Sequence, residues 1–315
     1  MQNESEPLVS VLMNCYNGET YLREAIDCVL AQTYQNWELI FWDNQSTDRS
    51  AEIFKSYGDA RLKYFRAPEH TELGAARARA FQHLSGEFVA VLDADDLWLP
   101  HKLEKQIPHF GGSGTGNSTI VIVGTWCRCI DETGQEINQA TPPTTMTDIC
   151  DAMVWGNPLP NSSIVFRKAA ASRQGGYDAS FVCANDFDLW LKLIELGDVV
   201  ILPEFLTDIR DLSTSLTRSS RYRLHIAYED LILHQRAAKQ LPLNLQTWYA
   251  NRKALARHGT DYGQALLQTG MFFQGWKWII WGLWKDPLVF SRARLRSLKQ
   301  LLKENFLQTG ASKQY

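Results

Sequence analysis

Asp93-Ala94-Asp95 sets two carboxylates two residues apart, directly after the apolar run Glu87–Leu92. In an extended backbone, side chains two apart point to one side. Two hard oxygen donors there suit Mg²⁺ or Mn²⁺, usually held by one or two carboxylates plus substrate phosphates. The competing reading is structural, with Asp95 or Asp96 capping a helix expected over Leu97–Gln106. Asp43 follows the apolar run Trp37–Trp42. It can accept hydrogen bonds from a base or ribose, or merely close an Asx-turn. Arg77 follows Gly74 in a helical stretch. It can grip a diphosphate as a bidentate donor, or share a solvated helix face with Arg79. Asp186 heads the amphipathic pattern of Asp186–Leu196, where it is either an N-cap or a base toward a hydroxyl.

The elements that must position these groups are legible from periodicity. Leu8–Met13 reads as a buried strand, ended by Asn14-Cys15-Tyr16-Asn17-Gly18. Thr20–Gln32 has helical spacing through Leu22, Ile26, Val29 and Leu30. Trp37–Trp42 is a second strand, with Asp48 as cap of the helix after it. Leu62–Phe65 is a third strand, Glu72–Leu84 a helix and Glu87–Leu92 a fourth strand. Alternation at this pace means crossover units and a mainly parallel sheet, so the fold class is α/β. Ligands of such sheets bind beyond the carboxyl ends of the strands. The polar clusters Asn14–Glu19, Asp43–Ser46 and Asp93–Asp96 all fall there. After the glycine-rich Gly111–Ser118, strands are expected at Thr119–Arg128 and Ser163–Arg167, with a proline-rich stretch at 142–160 between them. From Tyr222 onward the pattern is nearly all helical.

Composition excludes several classes. Lys and Arg number 32 against 35 Asp and Glu, so a net charge of −3 gives no general reason for nucleic-acid binding. Six cysteines in 315 residues are too few for a disulfide scaffold, and none forms a CxxC pair. Cys127 and Cys129 share one side of a strand and read as core. The seven histidines are scattered, with no HxxxH spacing. The start MQNESEP lacks a secretory pattern, so a cytoplasmic setting is expected.

Taken in order, the clusters resemble the family 2 glycosyltransferases with a GT-A fold, over about Leu8 to Arg210. VSVLMNCYNGETYL is similar to the family's opening strand and turn, with Asn14 where proline is usual. FWDNQSTDRS carries Asp43 in the nucleobase-contact position, and LGAARARAF supplies Arg77 with Ala78 in place of asparagine. GEFVAVLDADDLWLPHKLEKQ keeps Trp98, Pro100 and Lys102 of the family's most typical segment. GGYDASFVCANDFDLWLKL resembles the acceptor-side motif, with Asn185 where Glu is common. The resemblance implies a Rossmann-like, mainly parallel mixed sheet flanked by helices, over residues 1–220. Within it, 8–110 would be the nucleotide-sugar half and 119–210 the acceptor half.

It further implies an inverting, metal-dependent transferase that moves one sugar at a time, since no Gln-x-x-Arg-Trp segment follows. The donor would be a nucleotide-diphosphate sugar, a UDP-sugar first. Asn14, Tyr16, Asn17, Glu19, Asp43, Arg77, Asp93 and Ala94 would bind it. Asp95, with Asp93 as a second candidate, would hold Mg²⁺ or Mn²⁺, and Asp186 would be the base. Polysaccharide or glycoconjugate assembly on a glycan or lipid-linked acceptor follows by analogy. A sugar-nucleotidyltransferase would want a Gly-rich phosphate loop after the first strand, where only Gly18 stands. A non-catalytic nucleotide-sugar binder is the third reading, and Asn185 is its only hint.

Residues 221–315 read as a helical extension. Met271–Phe290 holds four of the eleven Trp, but Lys277, Lys285, Asp286 and Pro287 argue against a membrane span. Ser291–Tyr315 carries six basic residues against Glu304. Two readings stand: contact with an anionic membrane surface through 271–315, at the inner face, or packing on the protein or a second subunit.

Overall fold

The computed structural model describes residues 6–112, 114, 118–241 and 245–288. The chain divides into two compact units, Met1–Ala152 with Asn157–Ser215, and Met153–Gly156 with Leu216–Tyr315.

The first unit opens with β1 (Val9–Cys15), α1 (Leu22–Leu30), β2 (Trp37–Asp43), α2 (Ser50–Lys55), β3 (Leu62–Arg66), α3 (Leu73–Phe81) and β4 (Phe88–Val91). It continues through β5 (Leu97–Trp98), α4 (Lys102–Gln106), β6 (Ile120–Ile130), β7 (Glu136–Ala140) and α5 (Met146–Met153). It ends with β8 (Val165–Arg167), α6 (Lys168–Arg173), α7 (Asn185–Ile194) and β9 (Asp198–Arg210). The sheet runs β3-β2-β1-β4-β8-β6-β9-β5, with β7 on β6. The first four strands of that order pair in parallel, β4–β8 and β8–β6 are antiparallel, and β6–β9 is parallel again.

Every residue of β2 and β4 is buried, as strands covered on both faces require. Val9, Val11, Met13 and Cys15 pack with Leu22, Ala25, Ile26 and Val29 of α1 in one core cluster. α3 packs against β1 and β2, and α7 against β6. One close approach ties these last two helices together. A Cβ on Gly74 would collide with the carbonyl oxygen of Phe181, so only glycine lets the segment leading into α7 lie against α3.

Two local expectations are corrected. The helix expected over Leu97–Gln106 starts only at Lys102, with His101 at its N-cap position, so neither Asp95 nor Asp96 caps it. Leu97 and Trp98 instead pair with Asp208 and Thr207 of β9, and Pro100 keeps the backbone before it out of the helical region. The Asp186 helix begins one residue earlier than expected, at Asn185, with Ala184 at the N-cap position. Residues 198–210 carry no clear signal in the sequence, yet they form the longest strand described, β9. Pro203 and Glu204 interrupt its apolar pattern. Its register against β6 shifts between Thr125 and Cys127, which absorbs them as an irregularity. Asp48 lies one residue before the N-cap of α2 and still accepts the Ser50 N–H at 2.9 Å.

The second unit contains α8 (Arg223–Gln240), α9 (Leu245–Gln268) and α10 (Phe272–Lys285). α10 buries Gly275, Ile279 and Gly282. A Cβ at Gly275 would stand 2.8 Å from the Gly263 carbonyl of α9, so the two helices meet backbone to backbone. The outward side of α10 is left apolar, with Phe273 86%, Ile280 62% and Trp284 69% exposed. Among the described residues no helix is long and apolar enough to cross a membrane. The basic residues expected to support membrane contact, from Arg292 on, lie outside the described residues.

Lys102 is fully buried, donates to Gln106 Oε1 at 2.7 Å and lies 4.2 Å from the Trp98 ring centre. Burial pushes its amine down to about 7. Above that pH the unfolded chain binds a proton that the folded chain has released, so stability rises with pH. We predict a rise of about 1 kcal/mol per pH unit from this group between about pH 7 and 9. Denaturant unfolding across that window should show the rise in the parent and its loss in Lys102→Met. Equal slopes would refute the assignment.

Candidate active site

Four segments meet at the carboxyl ends of β1, β2 and β4 and the amino end of α7. The turn after β1 and the turn after β2 are tied to each other. Asn17, in the left-handed region at φ 56°, donates its N–H to Ser46 Oγ and accepts from the Thr47 N–H through Oδ1, at 3.1 and 2.8 Å. The Gly18 N–H donates to Ser50 Oγ, and the Glu19 N–H to Asp48 Oδ2. Glu19 Oε2 accepts the Arg49 N–H at 3.0 Å. The side chains of Asn17 and Glu19 therefore serve the joint between the two turns. Tyr16 is 52% exposed and packs its ring 4.2 Å from His70, whose Nδ1 lies 3.0 Å from the Asn44 carbonyl.

Asn14, at the end of β1 beside Trp42, has both amide atoms buried and neither hydrogen bonded. Such a group has unmet capacity to donate and accept. Asp43 is completely buried. Its Oδ1 accepts the Ser46 N–H at 2.7 Å and its Oδ2 the Tyr64 hydroxyl at 2.5 Å. The first of these bonds closes the turn. The second, with burial, raises the Tyr64 phenol above its ordinary range.

The acidic turn after β4 splits its carboxylates among different partners. Asp93 Oδ1 accepts from Arg77 Nη2 at 2.6 Å, and Asn161 Nδ2 reaches both Asp93 oxygens at 3.1 and 3.0 Å. Asp96 is buried and accepts the Ser162 hydroxyl at 2.5 Å and the Arg210 N–H at 2.9 Å. Burial and the two acids beside it drive its pKa well up. Asp95 receives its own backbone N–H and no other hydrogen bond from the described residues, and burial with the nearby Asp93 pushes it up to about 6. Ala94 forms the turn between the acids, half-buried.

Arg77 is the hub. It is 4% exposed, donating through Nη2 to Asp93 and through Nη1 to Asn185 Oδ1 at 2.8 Å. The neighbouring carboxylate raises its already high pKa. Arg79 lies outward and pairs with Glu69 at 2.8 Å. Asp186, next to Asn185, sits in the first turn of α7. Its Oδ1 accepts the Phe187 N–H at 2.8 Å, and its Oδ2 accepts from Asn157 Nδ2 at 3.0 Å. Desolvation raises its pKa against the opposing pull of Arg77.

Four contributors carry no recognisable signal in the sequence. Asn157, Asn161 and Ser162 lie in or beside the proline-rich stretch, where Pro158 and Pro160 flank Leu159. Arg210 ends β9 and reaches the acidic turn from across the sheet. Its Nε donates to the Asp95 carbonyl at 3.0 Å, its Nη2 pairs with Glu24, and its guanidinium stacks 4.2 Å from Tyr21.

Among the described residues no three His, Cys, Asp or Glu side chains converge as a complete metal cage. The donor chemistry at Asp95 nonetheless fits a hard divalent cation. An oxygen acid with open lone pairs, its pKa lifted by burial and a like charge, is favoured by a cation beside it.

Residues 10–170 match the family Glycosyl transferase family 2. EpsE of Bacillus subtilis (strain 168) is 32% identical over 259 residues, covering 80% of this chain and 90% of that protein. Among solved structures, S. aureus TarS 1–349 in complex with UDP-GlcNAc matches with a TM-score of 0.64 at 17% identity, over 87% of this chain and 79% of that one. The mannosyltransferase PcManGT from Pyrobaculum calidifontis, in complex with GDP-Man and Mn²⁺, gives a TM-score of 0.57 at 17% identity, over 98% and 81%. The fold is thus the GT-A fold expected from the sequence, and the chain is a glycosyltransferase that belongs to Glycosyl transferase family 2.

Proposed function

We propose that this enzyme transfers one sugar from a nucleotide-diphosphate sugar to an acceptor hydroxyl with inversion at the anomeric carbon. One observation carries the reading. Arg77 donates to Asp93 of the acidic turn and to Asn185, and its charge acts on the adjacent Asp186, so a donor-side acid and a candidate base lie in the field of one buried cation. Donors of this class are supported by the nucleotide sugars bound to TarS and PcManGT. A UDP-sugar is our first choice.

The exposed ring of Tyr16 suits contact with the nucleotide, and the buried, unpartnered amide of Asn14 has donor and acceptor capacity for it once the turn above it shifts. Asp43, Asn17 and Glu19 hold the two turns that carry such contacts. Asp43, completely buried beneath those turns, reaches a base only if they shift. Asp93, oriented by Arg77 and Asn161, suits the ribose side, and Ala94 lets the chain turn beneath it. Asp95 is the residue that would hold Mg²⁺ or Mn²⁺. Such a cation would offset charge developing on the departing nucleoside diphosphate.

Asp186 takes the proton from the acceptor hydroxyl as that oxygen attacks the anomeric carbon, and the bond to the diphosphate oxygen breaks on the opposite face. One displacement of this kind inverts the configuration. Positioned base assistance contributes typically ~10²–10⁴-fold. For the acceptor we propose a glycan or lipid-linked hydroxyl in polysaccharide or glycoconjugate assembly. The outward Phe273, Ile280 and Trp284, with Lys277 among them, suit an anionic membrane surface at the cytoplasmic side.

Three kinds of measurement test this, the first on ligand binding and turnover. In a thermal-shift series, UDP-glucose, UDP-GlcNAc or GDP-mannose with Mn²⁺ raises the melting temperature of the parent, and Asp95→Ala loses the Mn²⁺-dependent part. Asp186→Asn keeps the donor-induced shift while turnover, read as nucleoside diphosphate release, falls by ~10²-fold or more. Full turnover in that variant removes Asp186 from the mechanism.

The second is a pH profile. A base must be ionised, and burial raises the Asp186 pKa. The rate therefore falls with acidification through a midpoint above the ordinary carboxylate range of about 4. A midpoint at or below that range would oppose the assignment.

The third is a vesicle assay. Phe273→Ser with Trp284→Ser lowers sedimentation with phosphatidylserine vesicles by ~10-fold, at unchanged helicity. If neither parent nor variant sediments, the surface contact is refuted.

A further inference from the structure

The proline-rich segment after α5 reaches two acids on two different elements. Asn157 donates to Asp186 Oδ2, and Asn161, four residues on, donates to both oxygens of Asp93. Between them Leu159 is fully buried and pins the segment to the core. Ser162 next reaches Asp96, and the Ser162 carbonyl accepts Trp98 Nε1–H at 2.7 Å. The orientation of the Asn157 amide is fixed from its other end. Its Oδ1 accepts the Leu159 N–H at 3.1 Å, which leaves the NH₂ group to face Asp186. Pro158 restricts the backbone of Asn157 to the extended region, so little conformational freedom remains to be frozen.

The Asp186 carboxylate is thereby divided into two ends. Oδ1 is committed to the Phe187 N–H of its own helix turn. Oδ2 holds the Asn157 amide and keeps a further lone pair for an incoming hydroxyl, since each carboxylate oxygen offers about two. A donor on Oδ2 fixes which lone pair is open and favours the ionised form.

We propose that Asn157 is the positioning residue of Asp186, aiming the free lone pair of Oδ2 at the acceptor hydroxyl and holding the carboxylate ready to accept a proton. This rests on the reading of Asp186 as the base. Among the described residues, the charged and titratable groups that act on Asp186 from other elements are led by Arg77 of α3, Asp93 of the acidic turn and Tyr177 of the segment before α7. None of them is altered by a change at Asn157.

The test is a titration of the full-length protein. Carboxyl-carbon NMR of aspartate-labelled protein, without donor or metal, follows the Asp186 resonance, assigned by its absence in Asp186→Asn. Removing the donor in Asn157→Ala moves the midpoint to higher pH, and Asn157→Ser, which keeps a hydroxyl donor, recovers part of the shift. Asn161→Ala, which alters the Asp93 side of the same segment, leaves the midpoint closer to the parent than Asn157→Ala does. With UDP-glucose as probe donor, Asn157→Ala lowers the rate of UDP release by ~10-fold and moves its acidic limb the same way. An Asp186 midpoint unmoved in both Asn157 variants overturns the proposal, even if their stability has changed. Turnover undiminished in Asp186→Asn would instead overturn the base reading and leave the titration result standing as a property of the fold.

Discussion

A guanidinium that water barely reaches must find its acceptors inside the protein. Arg77 stays charged at any pH the fold survives, and an unpaired buried charge is among the costliest defects a protein can hold. Its two acceptors, Asp93 and Asn185, stand 16 and 108 residues away along the chain. Meeting both fixes α3 against the end of β4 and against the start of α7 simultaneously. The missing Cβ of Gly74 is the steric condition for the second contact, because it lets the Phe181 carbonyl lie on α3. The rest of the site follows from this. Once Asp93 and Asn185 are held to one cation, Asp95 and Asp186, their near neighbours in sequence, are brought to the same end of the sheet.

The identity of the residue at 185 belongs to the same constraint. A neutral amide accepts from Arg77 as a carboxylate would, so the hydrogen bond is preserved. The charge is not. Arg77 then faces one acid directly, Asp93, and its remaining field acts on Asp186, where it opposes the desolvation that raises that pKa. A second carboxylate at 185 would divide the cation's field and add repulsion beside Asp186.

Much of this arrangement is legible in the order of the amino acids alone. The first four strands, the helices between them and the three polar clusters at strand ends follow from periodicity and turn residues, because a parallel sheet buried on both faces leaves long apolar runs. Arg77 and Asp186 are recognisable there only as ambiguous. Local spacing cannot separate a paired arginine from a solvated one, or a helix-terminal acid from a base. What escapes depends on long-range pairing. β9 is invisible because Pro203 and Glu204 break its alternation, and only a register shift against β6 reconciles them with a strand. Arg210, at the end of that strand, is lost with it. Asn157 and Asn161 are hidden for a related reason: a proline-rich stretch reads as a connector, and nothing in its composition says which acids its amides will meet. Asn17 and Glu19 show the converse. Their motif is plain, yet their side chains are occupied in joining two turns.

The acidic turn shows how residue type underdetermines role. Asp93, Asp95 and Asp96 differ by nothing in covalent chemistry. Asp96 points inward to a hydroxyl and a backbone N–H, and burial with two like charges drives it toward the neutral form. Asp93 meets Arg77 and Asn161, which use both of its oxygens. Asp95 takes no side-chain donor among the described residues, while Arg210 anchors the backbone that carries it. A rigid backbone beneath an unengaged carboxylate is what a ligand to an incoming charge requires, since little reorganisation remains at the moment of binding. The three roles are therefore assigned by β9, by α3 and by the proline-rich segment, each of which arrives at the turn from a different part of the chain.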